Sequence, residues 1–154
     1  MSGSRSAYIL NLGILFIIGV LHFFMVLNFE INWDEFFRLA RIYEWKNGSL
    51  SAIFESNYVH AFRWVEYVHQ NEVYQVVAAR MVMFVLLIYI CLITYLILNY
   101  FFDRISALIT LTSFLSFSYV FRHATSFRID LPIISLLMSA IWLIIIPNLS
   151  LIHI

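Results

Sequence analysis

Charge is what this sequence has least of. Asp, Glu, Lys and Arg make up 12% of its 154 residues, against roughly 25% in a soluble domain, and that shortage excludes an ordinary water-soluble globule. The charge that is present cancels, nine basic side chains against nine acidic. No global field therefore argues for nucleic acid or an acidic surface as a partner. Cysteine is almost missing as well. The single thiol, Cys91, has no internal disulfide partner and lies in an apolar run, where its role is packing. No His and Cys spacing argues for zinc.

Hydrocarbon is what the chain has in excess, with 63% hydrophobic residues and a mean hydropathy of +0.90. This is the composition of a membrane protein. A spanning helix needs about 20 mostly apolar residues, and four stretches meet or approach that length. The expected fold is all-α, a single domain over 1–154 with about four transmembrane helices at 7–29, 78–102, 105–121 and 131–147. Amphipathic interfacial helices are expected in the first extracytoplasmic loop, 30–77. Pro147 is expected to close the last helix. The first run is too long for a signal-peptide core and lacks a small-residue cleavage site, so it reads as an anchor that stays.

The connections differ in kind. Asp103-Arg104 alone separates the second stretch from the third, which forces a tight antiparallel hairpin. The polar "RHATSFRID" joins the third to the fourth. Alternating spans put Arg5 and Arg104 on one side, and Arg122, Arg128 and the five basic residues from Arg38 to Arg80 on the other. Long loops count for little, and the balance leans slightly against a cytoplasmic N-terminus.

The long loop opens with "NWDEFFRLARIYEWKNGS", 32–49. Asn32 followed three residues later by Glu35 is a capping-box pattern, and Gly48 supplies a stop, so the spacing predicts a helix over 33–47. At 100° per residue Phe36, Leu39, Ala40 and Tyr43 share one face, and Asp34, Arg38, Arg41 and Trp45 the opposite one. Such a helix lies on a membrane surface. Asp34 and Glu35 have a structural explanation in the helix dipole, worth about 0.3 to 1 kcal/mol. Asp34 gains a further ~0.2 to 0.5 kcal/mol from Arg38 one turn on.

An acidic pair just after a first span, opening an amphipathic helix that leads to further spans, resembles the GT-C membrane glycosyltransferases, most of all their ArnT-like and protein-mannosyltransferase-like branch. Three segments carry the likeness in order: "NWDEFFRLARIYEWKNGSLSAIFESNYVHAFRW", "NEVYQVVAARMVMFVLL" and "SFRIDLPIISLLMSA". The resemblance implies a multi-pass protein of a cell membrane, a bacterial inner membrane rather than the endoplasmic reticulum. It implies transfer of a sugar from a polyprenyl-phosphate donor to an acceptor on the extracytoplasmic face. Asp34 matches the acid of the family's first loop, and a carboxylate there suits removal of the acceptor's proton. Glu35 is then either the capping member of the turn or a second catalytic acid sharing a divalent metal, Mg or Mn, with Asp34.

The leaving group would be a lipid phosphate, for which Arg80, Arg122 and Arg128 are candidate partners, since arginine binds phosphate oxygens bidentately. The competing reading is that they snorkel to headgroups. His60 stands where the family often carries a His-Pro pair, but Ala61 follows it. Asp130 with Pro132 reads as the cap of the fourth helix. His69 reads as a solvated loop residue, and His22 with His123 does not make a haem pair of matched depth. Trp33, Trp45, Trp64, Tyr43, Tyr58 and Tyr67 read as an interfacial aromatic belt. The sequons at Asn47 and Asn148 are too common a pattern to weigh.

Members of that family are several hundred residues long. The expectation is therefore an incomplete or split glycosyltransferase module, inactive alone, whose partners are the lipid bilayer, the polyprenyl-phosphate donor and the missing remainder of the enzyme. The alternative is a non-catalytic membrane scaffold, a regulatory subunit or a degenerate remnant.

Overall fold

In a computed structural model describing residues 2–50 and 56–151, every regular element is a helix among the described residues. Helix α1, Ser2–Asn28, leads into α2, Trp33–Lys46, then α3, Ser56–Phe62, and a 3₁₀ turn, Arg63–Tyr67. Helix α4, Glu72–Phe101, is the longest, and α5, Arg104–Leu115, α6, Ser118–His123, and α7, Asp130–Leu151, follow it.

Helix α4 is the spine, packing against α1, α5 and α7 along its length and against α2 and the 3₁₀ turn near its start. Its buried side chains Val76, Ala79, Arg80, Met83, Leu87 and Ile90 recur every three or four residues, the repeat of one helical face. Helix α1 buries a narrower stripe, Ile18, His22 and Val26, and turns Phe16, Ile17, Val20 and Phe24 outward. The stretches Arg5–Asn28 and Glu72–Phe101 are long and apolar enough to cross a membrane, yet only 17% and 22% of their apolar windows are buried inside the protein. A core helix of a soluble protein would be mostly covered; this outward surface is what a hydrocarbon surrounding would cover.

Helix α2 forms for the reason its sequence suggests. The Asn32 side chain accepts from the Glu35 N–H at 3.1 Å, and the Glu35 carboxylate accepts from the Asn32 N–H at 3.1 Å. Gly48 ends the helix at φ +69°, with the Ser49 N–H reaching the Glu44 carbonyl at 2.9 Å and the Gly48 N–H reaching Trp45 at 3.0 Å. Its buried face is rotated from the expected one: Glu35, Leu39 and Ile42 face the core, while Ala40 is exposed. The rotation follows from an acid being placed inside.

Three boundaries also differ from expectation. Helix α4 starts at Glu72 rather than 78, because the Asn71 side chain caps it by accepting from the Val73 N–H at 2.8 Å. The third apolar stretch, 105–121, is broken at Ser116 and Phe117 between α5 and α6. Helix α7 runs through Pro147 to Leu151; a proline this near a helix end forfeits one backbone hydrogen bond without ending the helix. Residues 51–55, part of the first segment of the family likeness, lie outside the described residues.

Candidate functional site where α1, α2 and α4 meet

The chain leaves α1 and enters α2 within a few residues, and the first turns of α4 pass beside this corner. Glu35 is the third residue of α2 and is fully buried; Arg80 comes from the third turn of α4 and is 2% exposed. Arg80 Nε donates to Glu35 Oε1 at 2.7 Å and Nη2 donates to Oε2 at 2.5 Å, a forked pair. The remaining guanidinium hydrogens reach backbone carbonyls at the C-terminus of α1. Nη1 donates to Phe29 at 2.8 Å and Val26 at 3.4 Å, and Nη2 donates to Glu30 at 3.0 Å. Those carbonyls have no helical partner and form the negative end of the α1 dipole, so the cation belongs there.

Glu35 is equally saturated. Besides the Arg80 fork, Oε1 accepts from the Phe127 N–H at 2.8 Å, and Oε2 accepts from the Asn32 N–H. Phe127 is itself fully buried, its ring tilted against Tyr58 at 5.4 Å and edge-on to Phe62 at 5.2 Å. One ion pair thus ties together the end of α1, the start of α2, the body of α4 and the strap between α6 and α7. All five Arg80 donors and all four Glu35 acceptor positions are occupied. Of the two roles open to Glu35, the structure gives it the cap and leaves it no lone pair for a metal or a proton. Arg80 likewise has no donor left for a phosphate.

Asp34, one residue earlier, points the other way. Its side chain is 59% exposed, and its Oδ2 lies 3.9 Å from Arg128 Nη1. Arg128 Nε also contacts the Asp130 carboxylate at 3.1 Å. The outcome is an open cluster, Asp34, Arg128 and Asp130, at the start of α7, in which Asp34 and Arg128 each adjoin in sequence a residue, Glu35 or Phe127, of the buried network. A surface pair of this kind contributes about 0 to 1 kcal/mol, so its members are free to exchange partners.

The other candidates are scattered. Arg122 is exposed on the short α6. His60 packs edge-on against Trp45 at 4.9 Å; Trp45 is eleven residues beyond Asp34 on α2, about 16 Å along the axis. The structure therefore does not bring His60 to Asp34. Among the described residues no group of three or more His, Cys, Asp or Glu is placed to hold a metal ion. With Glu35 saturated and a guanidinium between Asp34 and Asp130, the residues present do not fit an Mg or Mn bridged by Asp34 and Glu35.

Another buried polar residue, His22, sits at the α5–α6 break. Its Nε2 lies 3.3 Å from the Leu115 carbonyl, one of those left over where α5 stops. Its ring also meets Phe121 at 4.9 Å.

Sequence reasoning missed the Glu35–Arg80 pair as a pair. The available signal was an arginine inside an apolar helix, which in hydrocarbon requires a buried acid as partner. Comparison with known proteins adds no relative: no family model matches the chain, nor does any curated protein or solved structure.

Proposed function

We propose that the chain is a multi-pass membrane module for glycosyl transfer from a polyprenyl-phosphate donor, with Asp34 as its base and Arg128 as the cation for the donor phosphate. The observation that carries this reading is the meeting of Asp34 and Arg128 at 3.9 Å from opposite ends of the sequence, both accessible. In the step itself the acceptor hydroxyl or amine loses its proton to Asp34 as it attacks the anomeric carbon. The bond from that carbon to the phosphate oxygen breaks, and the lipid phosphate leaves toward Arg128.

In this reading the module crosses a cell membrane four times, α1 and α4 alone, α5 together with α6, and α7. Twelve residues of α5 reach about 18 Å, short of a hydrocarbon core of ~30 Å, so α5 and α6 share one crossing. A break at that depth needs its backbone groups satisfied within the protein, and His22 on the Leu115 carbonyl supports it. A non-catalytic scaffold is the second reading. It is favoured by the saturation of Glu35 and Arg80, which makes the best-ordered polar feature a structural lock.

Transfer of radiolabelled sugar from a polyprenyl-phosphate donor tests the choice. Alone, the chain is expected to transfer little or nothing; supplied with further spans of a glycosyltransferase, it gains activity that Asp34→Asn lowers about 100-fold or more. No transfer under any complementation favours the scaffold.

A further inference from the structure

We propose that Glu35 is the positioning residue of the Asp34–Arg128 site, acting through its hydrogen bond to the Phe127 N–H. Glu35 follows Asp34 in the chain, and Phe127 precedes Arg128. The Phe127 N–H donates to Glu35 Oε1 at 2.8 Å, a buried bond between segments 92 residues apart. It ties the backbone beside one accessible charge to the backbone beside the other. The two charges hold each other only weakly. Their nearest atoms are 3.9 Å apart, beyond hydrogen-bond distance, and both side chains reach solvent. Water and salt compete for such a pair, whereas a buried amide that loses its acceptor has no water to turn to. The buried bond therefore sets the spacing of the two charges.

Arg80 completes the device. Its fork occupies both Glu35 oxygens, so the carboxylate cannot swing away from Phe127 without abandoning the fork. The Phe127 ring is anchored by Tyr58 and Phe62, and the Glu35 bond fixes the backbone on which Arg128 follows. This role goes beyond the helix cap and rests on the proposed roles of Asp34 and Arg128, since a misplacement of about 1 Å costs a reaction roughly 100-fold.

Two doubly substituted proteins differ in one acceptor. Both remove the buried charges, but Glu35→Gln with Arg80→Met keeps a carbonyl oxygen at position 35, and Glu35→Met with Arg80→Met has none. The Asn32 bond is part-buried and the Phe127 bond buried, so the Gln oxygen is expected to serve Phe127. The full chain is studied in detergent micelles with Cys91→Ala and nitroxides on Asp34→Cys and Arg128→Cys, which removes the surface ion pair itself. Electron paramagnetic resonance should give a narrow distance distribution in the otherwise unsubstituted chain and in the Gln protein, and a broad one in the Met protein. The Phe127 amide should exchange slowly in the first two and fast in the third. Glu35→Asp, with Arg80 intact, stands in if the Met protein does not fold: it keeps the charge, and its shorter side chain cannot reach Arg80 and Phe127 together, so the same broadening is expected. In unlabelled chains supplied with further spans, kcat should be about tenfold or more lower in the Met protein than in the Gln protein. Equal distance distributions in the Gln and Met proteins, an unbroadened Glu35→Asp, or equal kcat in the two doubles would each overturn the proposal. Absence of transfer from every protein would overturn the glycosyl-transfer reading instead, and the resonance comparison would still decide whether Glu35 sets the spacing.

Discussion

Arg80 and Glu35, 45 residues apart in sequence, face each other through two hydrogen bonds of 2.7 and 2.5 Å with no acceptor or donor of either left over. Neither residue reaches solvent, and each also satisfies backbone groups of other segments. The pair is therefore a joint of the fold, while Asp34 and Arg128, each next in sequence to a residue of that joint, stay accessible.

Breaking the joint on one side should be worse than removing it. Glu35→Gln or Arg80→Met leaves the other charge buried without a partner, at a cost of about 3 to 5 kcal/mol. The double variant should be less destabilised than the sum of the two singles, with a coupling above ~1 kcal/mol. Unfolding in mixed micelles against a denaturing detergent measures all four proteins. Strict additivity would contradict the joint.

Helix α4 has 30 residues and spans about 45 Å, enough to put Asp34 and Arg104 on opposite sides of a bilayer. With Cys91 replaced by alanine, Asp34→Cys and Arg128→Cys should react with an impermeant thiol reagent from one side, and Arg104→Cys from the other. Labelling of all three from the same side would rule out the four-crossing arrangement.

Acid should loosen the α4–α5 hairpin through Asp103. Its carboxylate accepts from the Ser106 hydroxyl at 2.6 Å and from the Ser106 and Ile105 N–H groups at 3.0 and 3.1 Å, which hold its pKa below the ordinary 3.8. A carboxyl with a lower folded than unfolded pKa contributes stability that is present above the unfolded value and is lost as pH falls through the folded one. Melting temperature followed downward from pH 5 should therefore drop more in the wild type than in Asp103→Asn. Parallel acid limbs would show that the cap carries no pH dependence.

Much of this was legible in the sequence, and the failures have physical causes. The Asn32–Glu35 capping box and the Gly48 stop are local, so three or four residues suffice to read them. The inward turn of α2 was not legible, because Glu35 counts as polar in any helical wheel until a buried arginine from elsewhere is known. Arg80 at the head of an apolar run reads as a snorkelling side chain, and the carbonyls it serves lie 50 to 54 residues away. The α5–α6 break lacks proline and glycine. Its marks are Ser116, whose hydroxyl bonds back to the Thr112 carbonyl at 2.8 Å, and a histidine on a different helix. Of the site candidates, Asp34 and Arg128 come together, Arg80 and Glu35 join the framework, and His60 lies at the far end of α2.

The division of labour between neighbouring acids is the central claim, and one paired measurement tests it. Asp34→Asn and Glu35→Gln are compared for unfolding free energy and for sugar transfer per folded molecule, in the same preparation complemented with additional spans. Asp34→Asn should change stability by less than about 1 kcal/mol and lower transfer about 100-fold or more. Glu35→Gln should cost about 3 to 5 kcal/mol and leave transfer per folded molecule within a few-fold of wild type. Wild-type transfer by Asp34→Asn would contradict the account and leave Asp34 as a residue that merely starts a helix.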